Sequence, residues 1–453
     1  MLLLVASIIM LAGIFYGAMY GGSSTSILLN IPGEAASVVT CLDGHQMAKQ
    51  GRAGPALGIA AIGSFIAGTL SNVGLNLFSP ILVVIALKFG PPEYFSVMAL
   101  GLVVSVYMVG GSLLKAVLMI ALGIFVSSVG MDVVKGVQRF TFGTINLMNG
   151  FDLVPVLMGM FGVSEILMNL EEISKREVFG VRVKNLFPTI KDWLDSSLSI
   201  LRGSVVGFVI GIMPGGSPTP ASFLSYAIER KFSRTPERFG HGAIQGVAGP
   251  EAANNSAVAA SMVSLLSLGV PGNPVTALLI GALIIHGVQP GPMLMTQHPD
   301  IFWGVIASMY IGNFMLLILN LPLMSIWVQF LRIPYYILFP VIFLLCVIGS
   351  YSANLNMFDV WVMIGFGILG FLLRKRNYEL APFALALVLG PILEQSLRQS
   401  LIMVHQNPMD FFVRPIAVSL LTLTLILFIL IVLSEWRKSR AFMPVLKGKG
   451  DEM

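Results

Sequence analysis

AANNSAVAASMVSLLSLGVPGNPVTALLIGALIIHGVQPGPMLMTQHP, residues 252–299, runs from Glu251 to Asp300 without one Asp, Glu, Lys or Arg. A bilayer-spanning helix needs about 20 largely apolar residues, so this stretch is long enough to span. Other uncharged stretches lie at 1–33, 53–87, 94–114, 203–228, 301–331, 333–358 and 415–434. The 453-residue chain is 56% hydrophobic and 11% charged, with a mean hydropathy of +0.87. Soluble domains carry about 25% charged residues, so too little polar surface is left to cover a water-soluble globule. These figures exclude a soluble enzyme, a nucleic-acid binder, a secreted disulfide scaffold and a disordered chain. They describe an all-α polytopic membrane protein with about ten to twelve spans.

Spans are expected at 1–20, 56–87, 94–114, 116–131, 152–170, 301–331, 335–350, 358–373, 380–397 and 412–434. The net charge of +5 is read as the positive-inside bias of cytoplasmic loops. With the basic C-terminal tail inside, 22 Lys and Arg residues are cytoplasmic, and Lys88, Lys135, Arg139, Arg398 and Arg414 are not. A cytoplasmic C-terminus is expected. The start has no basic n-region and reads as a span rather than a cleaved signal. Cys41 and Cys346 lie in apolar surroundings and read as buried thiols. The expected organisation is a first membrane half at 1–170, a cytoplasmic linker at 171–202, a second half at 203–434 and a tail at 435–453. An interfacial helix is expected around Ile190–Leu201.

Three stretches are apolar enough for the bilayer yet carry Pro, Gly and small polar residues. They are Tyr20–Gly33, Gly211–Pro220, and Gly249 to Ser256 continuing through Leu268–Pro274. A backbone break inside hydrocarbon survives only where protein buries it or a wet cavity lines it. Pro removes a donor and Gly permits reversal, so these stretches predict re-entrant half-helices whose ends meet near mid-membrane. Helix N-termini suit an anion and exposed carbonyls suit a cation. A weak repeat supports two related halves, with Ile27-Leu-Leu-Asn-Ile-Pro-Gly33 aligning with Leu266-Ser-Leu-Gly-Val-Pro-Gly272. Matching broken segments in two halves point to a secondary transporter.

Neither 203–228 nor 252–299 contains Lys or Arg. An anionic substrate would then rest on backbone N–H groups and on Ser217, Thr219, Asn254, Asn255 and Ser256, with bound cations offsetting its charge. The candidate pathway adds Ser23, Thr25, Asn30, Pro32 and Gly33 from the first break. It adds Pro214, Gly215 and Gly216 from the second, and Pro271 and Gly272 from the third. A Na⁺ site is expected near Asn254 and Asn255. Glu251 is a candidate cation or proton site, since a membrane carboxylate is costly. The alternative makes it a rim residue capping a helix that begins near Asn254.

At these motifs the sequence resembles the TctA family, the large membrane subunit of the tripartite tricarboxylate transporters. The resemblance rests on Gly17–Ser23, on Ile27–Thr40 with Asp43-Gly44 and Met47-Ala48, and on Phe89–Phe95. It continues through Arg139–Gly143, Gly162–Ile166, Met213–Ser217, Gly246–Asn255, Leu268–Gly272 and Gly287–Pro292. It implies a bacterial inner-membrane permease that imports citrate and other di- or tricarboxylates by symport with Na⁺ or H⁺. It further implies a small TctB-like membrane subunit and a periplasmic TctC-like substrate-binding protein as partners. No other cofactor, no nucleic acid and no enzymatic activity is expected. Family members usually begin several dozen residues earlier, with a further span and a first Pro-Gly motif equivalent to Met213–Ser217. Pro218 and Pro220 also depart from the family's pattern.

Two other readings stand beside the permease. One is an N-terminally truncated, transport-inactive relic of it. The other is an intramembrane hydrolase using Ser217 after Gly215-Gly216, with His286 as base.

Overall fold

A computed structural model describes the chain except residues 1, 31, 109–111, 133–135, 173–185, 325, 327–334, 404–413 and 448–453. Its first helices are α1 (Leu2–Leu29), α2 (Val38–Lys49), α3 (Ala53–Ala86), α4 (Pro91–Met108) and α5 (Leu113–Ser127). Next come α6 (Leu153–Leu157) and α7 (Ser164–Glu172), joined through a π-helical turn at Met158–Val163. Then follow α8 (Ile190–Ile212), α9 (Pro218–Phe232), α10 (Gln245–Leu268), α11 (Pro274–Ile285), α12 (Leu294–Gln297) and α13 (Pro299–Asn320). The last are α14 (Tyr335–Asn354), α15 (Met357–Lys375), α16 (Ala381–Met403) and α17 (Pro415–Lys447). Two short strands, β1 (Gly130–Met131) and β2 (Gln138–Arg139), pair antiparallel. Among the described residues, eight helical segments are long and apolar enough to cross a membrane, and α5 and α11 are apolar but shorter. The protein is an all-α polytopic membrane protein.

Several expected boundaries move. The first span does not stop at residue 20, and the break does not begin there: α1 stays helical through Gly21-Gly22-Ser23-Ser24-Thr25-Ser26 to Leu29. The Thr25 and Ser26 hydroxyls bond back to the Gly22 carbonyl at 3.0 and 2.9 Å, so small polar residues leave the helix intact. The third break is likewise confined to the residues after Leu268, because α10 runs unbroken from Gln245 through Pro250. The interfacial helix expected at Ile190–Leu201 continues into the next apolar stretch as α8. Part of the linker expected at 171–202, residues 173–185, lies outside the described residues. The span expected at 301–331 ends as a helix at Asn320.

The chain folds as two compact units, Met1–Lys88 with Leu153–Phe371, and Phe89–Asp152 with Leu372–Met453. The halves expected at 1–170 and 203–434 follow the chain, whereas these units interleave along it.

The first unit is built around α10, in which every residue from Gly246 to Ser267 is buried. Helices α3, α8 and α9 enclose it. Gly203, Gly207 and Gly211 of α8 face the Gly249, Ala253 and Ala257 carbonyls of α10, so the two helices run parallel in a four-residue register. A Cβ at Gly211 would lie 2.5 Å from the Ala257 oxygen, which fixes glycine there. Small residues allow the close backbone approach that drives helix association where no hydrophobic effect operates. Charges tie one end of this packing. Arg202 donates to Glu229 at 2.8 and 2.5 Å, Ser199 to the same carboxylate at 2.5 Å, and Arg52 pairs with Asp192. Asp43, fully buried, accepts the Gly240, Gly242 and Ala243 N–H groups at 2.8–2.9 Å and clasps the α9–α10 connection to α2.

In the second unit, α16 packs on α4 and α5, and α17 on α4. Arg139 on β2 pairs with Asp132 and Glu394, and Arg398 joins the same two carboxylates. Those carboxylates hold the Arg139 guanidinium above the ordinary arginine range. The four side chains line a cavity of about 100 Å³.

Candidate substrate and ion site at three broken segments

Each break is built by its own local chemistry. In the first, α1 ends at Leu29, Asn30 takes a left-handed φ of 56°, and Pro32-Gly33 lead to Glu34. Glu34 caps a 3-10 turn at Ala35–Ser37, its carboxylate accepting the Ala36 N–H at 2.5 Å while Ser37 Oγ accepts the Glu34 N–H at 3.3 Å. In the second, Pro214-Gly215 form a turn closed by the Gly216 N–H on the Met213 carbonyl at 2.8 Å, with Gly215 at φ 78°. Pro at the second and a left-handed Gly at the third position fit a type II turn. Ser217 then heads α9 in an extended conformation and makes no capping bond. In the third, α10 ends at Leu268 with Gly269 left-handed at φ 71°. Pro271-Gly272 follow, and Asn273 caps α11 with a reciprocal bond from Thr276.

The repeat seen in the sequence is therefore a repeat of conformation. Asn30 matches Gly269, both left-handed; Glu34 matches Asn273, and Ser37 matches Thr276, as capping boxes. Asn is the residue besides Gly that best tolerates this backbone region.

All three breaks face one stretch of α10, residues 251–261, about 15 Å of helix. Glu34 of the first break accepts from Asn254 Nδ2 at 3.2 Å. Gly211, just before the second, lies against Ala257 and Ala260. Gly272 of the third lies against the Gly216 carbonyl and Ser261, since a Cβ there would meet them at 2.9 and 3.4 Å.

This stretch carries the buried polar groups. Glu251 is 1% exposed and accepts from Ser23 Oγ at 2.5 Å and from Thr40 Oγ1. It sits inside α10, which begins at Gln245 and not near Asn254, so Glu251 does not cap the start of that helix. Neither Glu251 nor Glu34 is in an ion pair among the described residues. Ser23 also lines a cavity of about 10 Å³, room for about one water. Asn255 Nδ2 donates to Ser64 Oγ at 2.7 Å and to the Glu251 carbonyl at 3.1 Å. Ser256 Oγ bonds the Ser204 carbonyl at 2.6 Å, joining α10 to α8. Asn254 Oδ1 and Asn255 Oδ1 are buried without a partner. Their orientation is settled, because each amide's nitrogen already faces an oxygen acceptor.

The expected pathway residues divide. Ser23, Glu251, Asn254, Asn255, Ser256, Gly216 and Gly272 gather on this stretch, with Gly215 and Pro271 buried beside them. Pro214, Ser217 and Thr219 are half-buried at the second break. Asn30, Pro32 and Gly33 are exposed, and the Thr25 hydroxyl is spent on its own helix. The free backbone N–H groups expected for an anion are largely consumed, since Asn273 Oδ1 takes those of Val275 and Thr276, while Pro218, Pro220 and Pro274 have none. His286 is exposed at the far end of α11, about 18 Å of helix from the third break, so no serine–histidine pair forms there. Glu34, Thr40, Ser64 and Asn273 are additions; the Glu34–Asn273 equivalence was latent in the repeat, but only one register of the alignment shows it.

The profile of the tripartite tricarboxylate transporter TctA family matches residues 2–385. The chain is 49% identical over 436 residues, 96% of its length and 87% of the relative's, to an Agrobacterium vitis protein described as "Uncharacterized 52.8 kDa protein in TAR-I ttuC' 3'region". It is 50% identical over 234 residues, 52% of its length and 97% of the relative's, to another from Agrobacterium vitis, "Uncharacterized protein in TAR-II ttuC' 3'region". No solved structure matches it. With the family profile covering most of the chain, breaks and α10 included, the chain belongs to the tripartite tricarboxylate transporter TctA family.

Proposed function

We propose that this chain is the large permease subunit of a tripartite secondary transporter that imports citrate-like tri- or dicarboxylates across the bacterial inner membrane by ion symport. A small TctB-like membrane subunit and a periplasmic TctC-like substrate-binding protein complete it. The observation that carries this reading is the α10 stretch 251–261, where three backbone breaks surround buried oxygen groups that no basic side chain neutralises among the described residues. Asn254 Oδ1 and Asn255 Oδ1 are hard, unpartnered acceptors; the Asn254 amide nitrogen meets the Glu34 carboxylate, the Asn255 amide nitrogen meets the Glu251 main-chain carbonyl, and the Glu251 carboxylate lies on the same stretch of α10. Oxygen groups of this kind hold Na⁺ in broken-helix transporters, and a carboxylate among them can carry H⁺ instead. The coupling ion, Na⁺ or H⁺, supplies the positive charge that an anionic substrate requires in hydrocarbon.

The test is uptake of labelled citrate into cells making this chain with its two partner subunits, with and without an imposed Na⁺ gradient. Gradient-dependent accumulation is the expected result. No uptake of citrate, succinate or malate under a Na⁺ or a proton gradient would leave the transport-inactive relic as the better description. In the same assay Asn254→Ala and Asn255→Ala raise the ion concentration needed for half-maximal uptake.

A further inference from the structure

Three buried asparagines stand at the breaks. The amide nitrogens of Asn254 and Asn255 reach oxygen acceptors, and that of Asn273 does not. Asn273 is 3% exposed and begins α11. Its Oδ1 accepts the Val275 and Thr276 N–H groups, both at 3.0 Å, and its own N–H goes to Thr276 Oγ1 at 3.0 Å. Turning the amide over would set its NH₂ against two N–H donors, so the oxygen faces the helix and Nδ2 faces away. Nδ2 is buried and has no partner. Its neighbour Gly272 lies against the Gly216 carbonyl and Ser261, so residue 273 directly follows the point where the second and third breaks meet. An unmatched buried donor is costly unless something accepts from it.

The repeat gives this donor its meaning. At the matching position of the first break stands Glu34, an acceptor, and it receives the Asn254 amide nitrogen. One copy of the motif thus presents a carboxylate and leaves amide oxygens over, the chemistry of a cation site. The other presents an amide and leaves N–H groups over, the chemistry of an anion site.

Resting on the permease reading above, we propose that Asn273 Nδ2 donates to a carboxylate oxygen of the transported substrate at the junction of the second and third breaks. A carboxylate only accepts, so an amide proton of Asn273 finds a charge-assisted bond between two stretches, 203–228 and 252–299, that contain neither Lys nor Arg. The α11 N-terminus adds its positive end although its own N–H groups are capped.

Asn273→Asp separates this role from capping: the side chain still accepts the Val275 and Thr276 N–H groups, but the donor is gone and a negative charge stands in its place. The measurement is labelled citrate uptake by the complete three-subunit transporter in proteoliposomes, with thermal unfolding of the purified complex alongside. The expected result is a KM for citrate raised at least about tenfold, one lost charge-assisted bond. The half-saturating coupling-ion concentration and the unfolding midpoint stay as in the unaltered protein. Asn273→Ser, which keeps a capping oxygen and also lacks the NH₂, gives the same rise without added charge and decides the matter if the Asp variant does not fold. An unchanged KM in a folded variant, or a change confined to the ion dependence, overturns the assignment while leaving the permease reading intact. Absence of uptake by the unaltered transporter brings down that reading and this one with it.

Discussion

Glu251 shows how a single residue in this protein can be read. Its carboxylate is buried and held by the Ser23 and Thr40 hydroxyls, with no basic side chain paired to it among the described residues. Two neutral donors compensate only part of the lost hydration of a carboxylate, so the group is suited to exchanging a cation or proton during transport. Glu251→Gln keeps the size of the side chain and removes its charge. Citrate uptake then no longer responds to the ion gradient, while the variant reaches normal membrane levels by immunoblot; gradient-driven uptake at the original rate would remove Glu251 from the coupling site. That Glu251, Asn254 and Asn255 are candidates was legible in the sequence, because polar groups at or inside a long uncharged run are expensive. Asn273 was not. Its significance depends on which N–H groups its oxygen caps, and a sequence does not show where a backbone donor points.

At the scale of elements, two devices position the site. The first is the left-handed residue that ends a helix before the Pro-Gly of each repeat copy, Asn30 in one and Gly269 in the other. The physics differs between the two: Asn30→Gly relieves a mildly unfavourable backbone and leaves stability near its original value. Gly269→Val forces a β-branched residue into that region, about 1–2 kcal/mol, and sets its Cβ 2.7 Å from the Pro290 carbonyl oxygen, so the total cost exceeds that figure and is read as a lower unfolding midpoint in detergent. The second device is the parallel contact of α8 with α10 through Gly203, Gly207 and Gly211. A Cβ at Gly207 would crowd the Ala253 carbonyl and Ser256, so Gly207→Leu separates the helices and destabilises the protein by about 1–3 kcal/mol or more. Val205→Leu, on the exposed side of the same helix, serves as the control and changes the midpoint little. The Pro-Gly breaks were legible as breaks; their extents were not. Runs such as Gly21–Ser26 read as interruptions by composition, yet α1 continues through them with their hydroxyls bonded back to a carbonyl of the same helix.

At the scale of the whole molecule, composition and charge placement decide the class and predict the orientation. With 22 basic residues assigned inside and five outside, a cytoplasmic C-terminus is expected. Alkaline phosphatase fused after Met453 is then inactive and a green fluorescent fusion is bright; the opposite pair of results reverses the orientation. What the sequence by itself determined is that this chain lives in a bilayer, that its backbone is interrupted at three Pro-Gly sites, and that it resembles one transporter family. Those follow from the cost of charge and of unsatisfied backbone in hydrocarbon, which act residue by residue and leave a mark in one dimension. Only the tertiary structure decided that the three breaks face one stretch of α10, that Glu251 is enclosed by the helices packed there, and that at the breaks two amide oxygens and one amide nitrogen remain over among the described residues. Those are outcomes of pairing between groups far apart in the chain, Ser23 with Glu251 and Glu34 with Asn254, and a hydrogen-bond partner chosen across 200 residues is fixed by packing, not by any local pattern.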